Sequence, residues 1–274
     1  MAIRTIVTRG YGNGTFNGTI GLVVRRGYSP AAAAVIFEVD FEIDEDDISD
    51  TAATGTAGIA TAQDLTVVCN GSASWRFAGT GDVATGAIVY QTNDIYGLGG
   101  ATDEFIIEGQ VNFHDLATAS LQIMMSYYHS TLNNRSWVFY RTGADIGFFA
   151  STDGGTVNAV TATRTVNWVE DVWYHVAISR DSSGDMRLFF NGAQQGASFS
   201  LGTSFFTSAA ASLDLRLGTF SVGPSPLYGY LDNWKITTGD SYTIDFTPPA
   251  CDFGVARVNS NPMLVHAGRM MTRG

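Results

Sequence analysis

The stretch from residue 172 to residue 192 constrains the fold of this chain more than any other. Its side chains alternate between two faces, with Val172, Tyr174, Val176 and Ile178 on one and Trp173, His175, Ala177 and Ser179 on the other. That period of two predicts a strand with one buried face. Residues 181–185 then form a glycine-containing turn, and Asn191-Gly192 is the dipeptide that tolerates positive φ at both central turn positions. The pattern predicts strand, turn, strand, turn in the middle of an antiparallel sheet.

The composition agrees with a chain built from strands. Of its 274 residues 45% are hydrophobic and only 15% are charged, and there are 31 glycines. Small polar residues separate short runs of β-branched and aromatic residues, and no long segment has helical periodicity. These features favour an all-β sandwich over an α/β enzyme.

Four segments carry a resemblance to a known family. Trp173–Arg180, with its turn and returning strand, resembles the signature hairpin of laminin-G-like domains in the concanavalin A-like jelly-roll superfamily. Residues 71–82, 105–113 and 228–236 resemble three further family strands in the family's order, although Trp75 and Ala78 stand where Leu and Asp are usual. The resemblance implies an antiparallel jelly-roll sandwich with extended N- and C-terminal arms.

Period-two patterns and turn clusters predict the other strands. The first is expected at residues 35–43, where Val35, Phe37, Val39, Phe41 and Ile43 share a face. Further strands are expected at residues 122–128, 137–141, 146–151, 157–164 and 214–220. The jelly-roll domain is therefore predicted to span residues 35–249.

Residues 1–34 form a separate segment of the sequence. They contain a short repeat, at residues 6–12 and 23–29, around a glycine-rich turn, and two such pieces make at best a marginally stable hairpin. Their sequence resembles the N-terminal segment of bacteriophage structural proteins that carry a laminin-G-like module. We expect a basic anchoring arm here, and residues 250–274 are expected to be a C-terminal tail. The candidate contacts to a capsid or other partner are Arg4, Arg9, Tyr11, Arg25, Arg26 and Tyr28.

Charge is distributed unevenly along the chain. The formal net charge is −11; four arginines on residues 1–37 and a net +2 on residues 250–274 leave −17 on residues 38–249. Basic ends on an acidic body suggest that the ends dock on another surface. The acidic body argues against nucleic acid as a partner. No apolar run reaches the ~18 residues of a membrane span, so no membrane partner is expected.

The sequence offers one catalytic hypothesis, which we reject. Glu38, Asp40 and Glu42 form the E-x-D-x-E pattern of retaining β-glucanases, and alternation places all three on one face. A retaining pair needs its carboxyl groups ~5 to 5.5 Å apart, whereas the Cα atoms of the two glutamates would lie ~13 Å apart along a strand. The pattern also opens the domain and precedes an acidic turn, so a polar outward face is the preferred interpretation. His175 is expected to be structural.

Metal, sugar and thiol candidates remain open at this point. Asp82, Asp232 and Asn233 are weak calcium candidates by resemblance, although Ala78 removes one oxygen ligand, and no cofactor is expected. Cys69 and Cys251 could pair, but free buried thiols are the preferred interpretation. Aromatic residues that could stack on a sugar are Trp75, Trp137, Trp168, Tyr228, Tyr230 and Trp234, and the sequence does not choose among them.

These observations predict a non-enzymatic virion structural protein. Its first expected role is capsid decoration or cementing, with the arms bound to the major capsid protein or other virion subunits and the jelly roll outward. The alternative is a tail-associated or capsid-displayed module that binds host-surface carbohydrate; a jelly-roll glycoside hydrolase is the remote alternative. A homo-oligomer is expected. The N-terminus lacks the apolar core of a signal peptide, so assembly in the host cytoplasm and location in the virion are expected.

Overall fold

The computed structural model describes eleven parts of the chain. They are residues 34–41, 55–58, 61–79, 87–91, 98, 103–117, 121–129, 134–155, 160–200, 214–220 and 225–251. The regular elements within these parts are strands, all paired antiparallel. Among the same residues no helix is long and apolar enough to cross a membrane.

The first sheet, sheet A, has nine strands within the described residues. Seven of them follow the order β13-β12-β11-β6-β16-β4-β3, while β1 also pairs with β16 and β14 with β12. Their bounds are β1 Ala34–Val39, β3 Thr61–Asp64, β4 Ser74–Ala78, β6 Phe105–Phe113, β11 Trp173–Arg180, β12 Asp185–Phe190, β13 Ala193–Gln194, β14 Phe199–Ser200 and β16 Tyr228–Thr238. The segment at residues 172–192 therefore supplies two neighbouring strands of this sheet, β11 and β12.

The second sheet, sheet B, has seven strands in the described part of the chain. Their order is β10-β9-β8-β7-β15-β5-β2. Their bounds are β2 Gly55–Ala57, β5 Ile88–Gln91, β7 Gln122–His129, β8 Asn134–Thr142, β9 Asp145–Ala150, β10 Val160–Thr165 and β15 Asp214–Leu217. The two antiparallel sheets confirm the predicted jelly-roll sandwich.

The core lies between the inner faces of the two sheets. The ring of Phe139 on β8 contacts that of Trp234 on β16, with ring centroids 6.0 Å apart. Both side chains are fully buried. Gly109 on β6 makes room for the indole, because a Cβ at that position would lie 2.4 Å from Trp234 Cδ2. Packing of large rings against the gap left by a glycine fixes the spacing of the two layers.

The predicted strands agree with the structure most closely at the centre of the sheets. β6 has the predicted bounds, and β7, β8, β9, β11 and β12 lie within a few residues of theirs. β1 ends at Val39 rather than continuing to residue 43, and Phe41 has a φ of 60°. The short strands β2, β3, β5, β13 and β14 were not predicted, because segments of two to four residues carry little periodic signal.

The prediction of one buried face for β11 is wrong, since both of its faces are buried. Tyr174, Val176 and Ile178 belong to the core between the sheets, as expected. The opposite face is covered by residues 240–251, which leave β16 and cross the outer face of sheet A; we call them the strap. The turn after β12 has the conformation that the sequence predicts, because Asn191 and Gly192 both have positive φ.

Candidate functional site

The strap covers only part of the outer face of sheet A and leaves a row of side chains beside it. Strand pairing sets Arg76 on β4 opposite Tyr230 on β16, Tyr230 opposite Asn112 on β6, and Asn112 opposite Trp173 on β11. Paired residues of a sheet point to the same face. Leu231 belongs to the core between the sheets, so its neighbour Tyr230 points to the opposite, outer face. The whole row therefore lies on the outer face.

A second row continues the surface toward the end of the sheet. Tyr228 lies two residues before Tyr230 on β16 and is 37% exposed. Its ring meets the imidazole of His114 edge to face, with centroids 5.1 Å apart. His114 Nδ1 in turn lies 2.6 Å from Asp171 Oδ1. We call the two rows together the aromatic patch; its members are Arg76, Asn112, His114, Asp171, Trp173, Tyr228 and Tyr230.

The aromatic patch combines ring faces with groups that form hydrogen bonds. The rings of Trp173 and Tyr230 lie on either side of Asn112, with centroids 6.4 Å apart. Arg76 and Asp171 are exposed at its margins and bring charges of opposite sign. Aromatic surface with a few fixed polar groups is the usual composition of sites that bind small organic ligands.

The strap closes the neighbouring part of the same face. Tyr242 stacks on Phe246, with ring centroids 3.8 Å apart, and Phe246 packs edge-on against His175 and Phe189. Phe246 N donates to Gly192 O, and Gln110 Nε2 donates to Pro249 O. These contacts fasten the strap along its length and set the boundary of the aromatic patch.

Beneath the strap the carboxylate of Glu108 faces three hydrogen-bond donors. Glu108 is 2% exposed. Its carboxylate lies 2.8 Å from Lys235 Nζ and 3.1 Å from His175 Nε2, and Tyr242 Oη donates to it at 3.0 Å. Burial acts to raise the pKa of Glu108, but His175 and Lys235 outweigh burial and hold the pKa at about 2. Burial, together with Glu108, raises the pKa of Tyr242.

This carboxylate is unsuited to proton transfer near neutral pH, where a general acid must hold a proton. Two of its partners hold the strap in place, since the His175 ring packs under Phe246 and Tyr242 belongs to the strap. Through Nε2, His175 has the structural role that the sequence predicts.

The end of the strap corrects the prediction of free thiols. Cys251 is bonded to Cys69 in a disulfide that joins positions 182 residues apart. The Oδ2 atom of Asp232, which is fully buried, accepts hydrogen bonds from the backbone N–H groups of Cys69 and Asn70. The low cysteine count argued against pairing, but the strap brings Cys251 back across the sheet to Cys69.

The structure places the calcium candidates in different settings. Asp232 Oδ2 accepts the two backbone N–H groups named above, and Asp232 Oδ1 accepts a hydrogen bond from Asn233 Nδ2 at 3.1 Å. Asp82 lies outside the described residues. Among the residues that are described, no group of three or more His, Cys, Asp or Glu side chains is arranged to hold a metal ion.

The rejected catalytic acids are not brought into one regular strand. Glu38 lies on β1, paired with Lys235 on β16. Asp40 follows the last residue of β1, and Glu42 lies outside the described residues. The regular extended geometry assumed for the three acids therefore ends before Asp40.

Other candidates separate into core, surface and segments that are not described. Trp75, Trp137, Trp168 and Trp234 belong to the core, whereas Tyr228 and Tyr230 lie in the aromatic patch. The arm candidates Arg4, Arg9, Tyr11, Arg25, Arg26 and Tyr28 lie outside the described residues. Sequence reasoning did not assign His114, Asp171 or Asn112 to a site, because segments far apart in the chain meet there only in the folded sheet. The period-two placement of Asn112 was the one available signal.

Comparison with solved structures returns similar folds from clostridial toxins. They include the binding domain of Paraclostridial Mosquitocidal Protein 1 (TM-score 0.57, 12% identity, 78% of this chain and 50% of that chain). The botulinum neurotoxin serotype G binding domain is another (0.56, 14%, 78% and 48%). A third is the botulinum neurotoxin serotype D ligand-binding domain in complex with N-acetylneuraminic acid (0.55, 10%, 78% and 48%).

At these identities the likeness concerns the fold, and the chain spans about half the length of each of these domains. No curated protein sequence matches the chain at a significant level. The sequence profile described as concanavalin A-like lectin/glucanases superfamily (Laminin_G_3) matches residues 101–239, from just before β6 to the end of β16. This match covers half the chain and includes three of the segments that carried the sequence resemblance, so the chain belongs to the laminin-G-like family of the concanavalin A-like superfamily.

Proposed function

We propose that this jelly roll is a non-enzymatic module that binds carbohydrate at the aromatic patch. The observation that carries the proposal is the row Arg76, Tyr230, Asn112 and Trp173, in which two rings on an outer sheet face flank a buried amide. Sugar rings pack their C–H faces on aromatic rings and offer hydroxyl groups to planar polar side chains. The family's description names lectins and glucanases, both of which bind carbohydrate, and one similar fold is a toxin domain in complex with N-acetylneuraminic acid. Both support a sugar ligand.

A glycan array tests the proposal directly. The wild type should bind a defined subset of glycans, and Tyr228→Ala should weaken that binding threefold to tenfold, as loss of one stacking ring predicts. Tyr228 is 37% exposed, so the change should leave the melting temperature near that of the wild type. Ile244→Ala is the matched control, because Ile244 is an exposed apolar residue on the strap, 75% exposed. Binding to no glycan, or equal binding by both variants, would reject the aromatic patch.

A second proposal concerns where the module works. The basic, repeat-containing residues 1–34 and their resemblance to phage structural proteins support attachment to a virion, as a capsid decoration protein or a tail-associated adhesin. In this role the arms bind the major capsid protein or other virion subunits, a homo-oligomer forms, and the jelly roll faces outward. A chain lacking residues 1–34 should then be missing from purified particles while still folding. Normal occupancy of the particle by the truncated chain would refute this proposal.

A further inference from the structure

Two buried polar atoms on the outer face of sheet A have no hydrogen-bond partner among the described residues. They are Oδ1 of Asn112 and Nδ1 of His175, in side chains that are 1% and 4% exposed. Asn112 pairs with Trp173 and His175 with Gln110, so the two residues are diagonal neighbours on adjacent strands, about 7–8 Å apart. Buried polar groups in proteins are nearly always paired, so two unpaired atoms side by side require an explanation.

Both atoms are hydrogen-bond acceptors. The carbonyl oxygen of Asn112 can only accept. His175 Nε2 faces the Glu108 carboxylate at 3.1 Å and donates to it, so in the neutral form of the ring the lone pair lies on Nδ1. A ligand that pairs with both atoms must therefore supply at least two hydrogen-bond donors. Two adjacent hydroxyl groups on one ring meet that requirement.

The surroundings favour an uncharged ligand. Carboxylates of Glu108, Asp232 and Asp171 lie on the same face, at or next to the positions of Asn112 and His175. Lys235 is engaged by Glu108 at 2.8 Å, and Arg76 stands at the far end of the row. A ligand carboxylate would be placed among like charges with two acceptors in front of it.

We propose, building on the carbohydrate-binding function above, that Asn112 and His175 form a subsite for two adjacent hydroxyl groups of a neutral sugar. Asn112 Oδ1 accepts from one hydroxyl and His175 Nδ1 from the other. The Trp173 ring, which is 9% exposed, borders the subsite on one side and Phe246 of the strap on the other. Trp173 is the ring that must turn aside for the sugar edge to enter. This chain should therefore select neutral glycans rather than sialylated ones.

Asn112→Leu tests the subsite because it removes the acceptor and keeps the number and branching of the side-chain heavy atoms. Affinity for the neutral glycans that the wild type binds on an array should fall at least tenfold. The melting temperature should not fall, since an unpaired buried oxygen is replaced by an apolar group. Ser136→Ala is the matched control: Ser136 Oγ, on β8 of sheet B, is another buried atom for which the described segments supply no partner, and its removal should leave binding unchanged.

A second measurement uses the unaltered protein and monodeoxy versions of the best neutral methyl glycoside from the array. Loss of binding at two adjacent ring positions is expected. Sialylated glycans as the main ligands, unchanged binding by Asn112→Leu, or loss at no adjacent pair would overturn the subsite while leaving carbohydrate binding intact. Binding to no glycan would overturn both.

Discussion

Glu108 stays ionised beneath the strap because three donors face its carboxylate. Lys235, His175 and Tyr242 come from β16, β11 and the strap, so the carboxylate joins three parts of the chain. A buried charge is tolerated only where such partners replace water. Because these partners lower the pKa of Glu108 in the folded state, the domain should lose stability in acid.

We expect the free energy of unfolding to fall as the pH drops from about 4.5 to about 2. The folded-state pKa of Glu108 is about 2 and the ordinary value is 4.5, so its contribution is complete above 4.5 and is lost as the pH falls through the folded value. The difference corresponds to on the order of 3 kcal/mol. Urea unfolding at pH 7 and near pH 2.5 measures it.

Glu108→Gln should be less stable than the wild type at pH 7 and should lose less stability in acid. Glu104→Gln is the matched control, because Glu104 is half-buried and accepts a hydrogen bond from Ser241 Oγ. Equal acid sensitivity of the wild type and Glu108→Gln would show that other carboxylates dominate.

The strap is the element that most changes sheet A. It converts the outer face of β11 from a surface into an interior and leaves Arg76, Tyr228 and Tyr230 of the aromatic patch accessible. The strap can pass this close to the turn after β12 because residue 192 is a glycine. A Cβ at Gly192 would lie 2.0 Å from Phe246 O. The disulfide to Cys69 then fixes the far end.

Gly192→Ala should therefore destabilise the domain by about 2–5 kcal/mol, from left-handed backbone strain and from displacement of the strap. Gly143→Ala is the matched control: Gly143 also has a positive φ, of 55°, but a Cβ there meets nothing within 4 Å. It should cost only the backbone strain, about 1–2 kcal/mol. Equal unfolding free energies for the two variants, measured in urea, would show that the strap contributes little at Gly192.

At the scale of the whole molecule, distant parts of the chain meet in sheet A. β16 lies between β6 and β4 and also pairs with β1, which begins nearly two hundred residues earlier. The aromatic patch is built at this junction, from four strands and the loop ends beside them. The body that carries it is strongly acidic, with −17 on residues 38–249. This charge agrees with a neutral ligand and opposes anionic ones.

The sequence alone determined the longer central strands, the turn after β12 and the family, because these follow from local alternation, from recognisable motifs and from residues such as Asn191-Gly192 whose φ preferences are intrinsic. It identified Tyr228 and Tyr230 as possible sugar-stacking residues but could not separate them from Trp137 or Trp234, which are buried in the core. Tertiary structure alone decided which rings face outward, that Cys69 pairs with Cys251, and that Asn112 Oδ1 lies near His175 with no hydrogen-bond partner from the described parts of the chain. These features depend on which strands become neighbours and on where the strap crosses, and both are set by the packing of segments far apart in the chain.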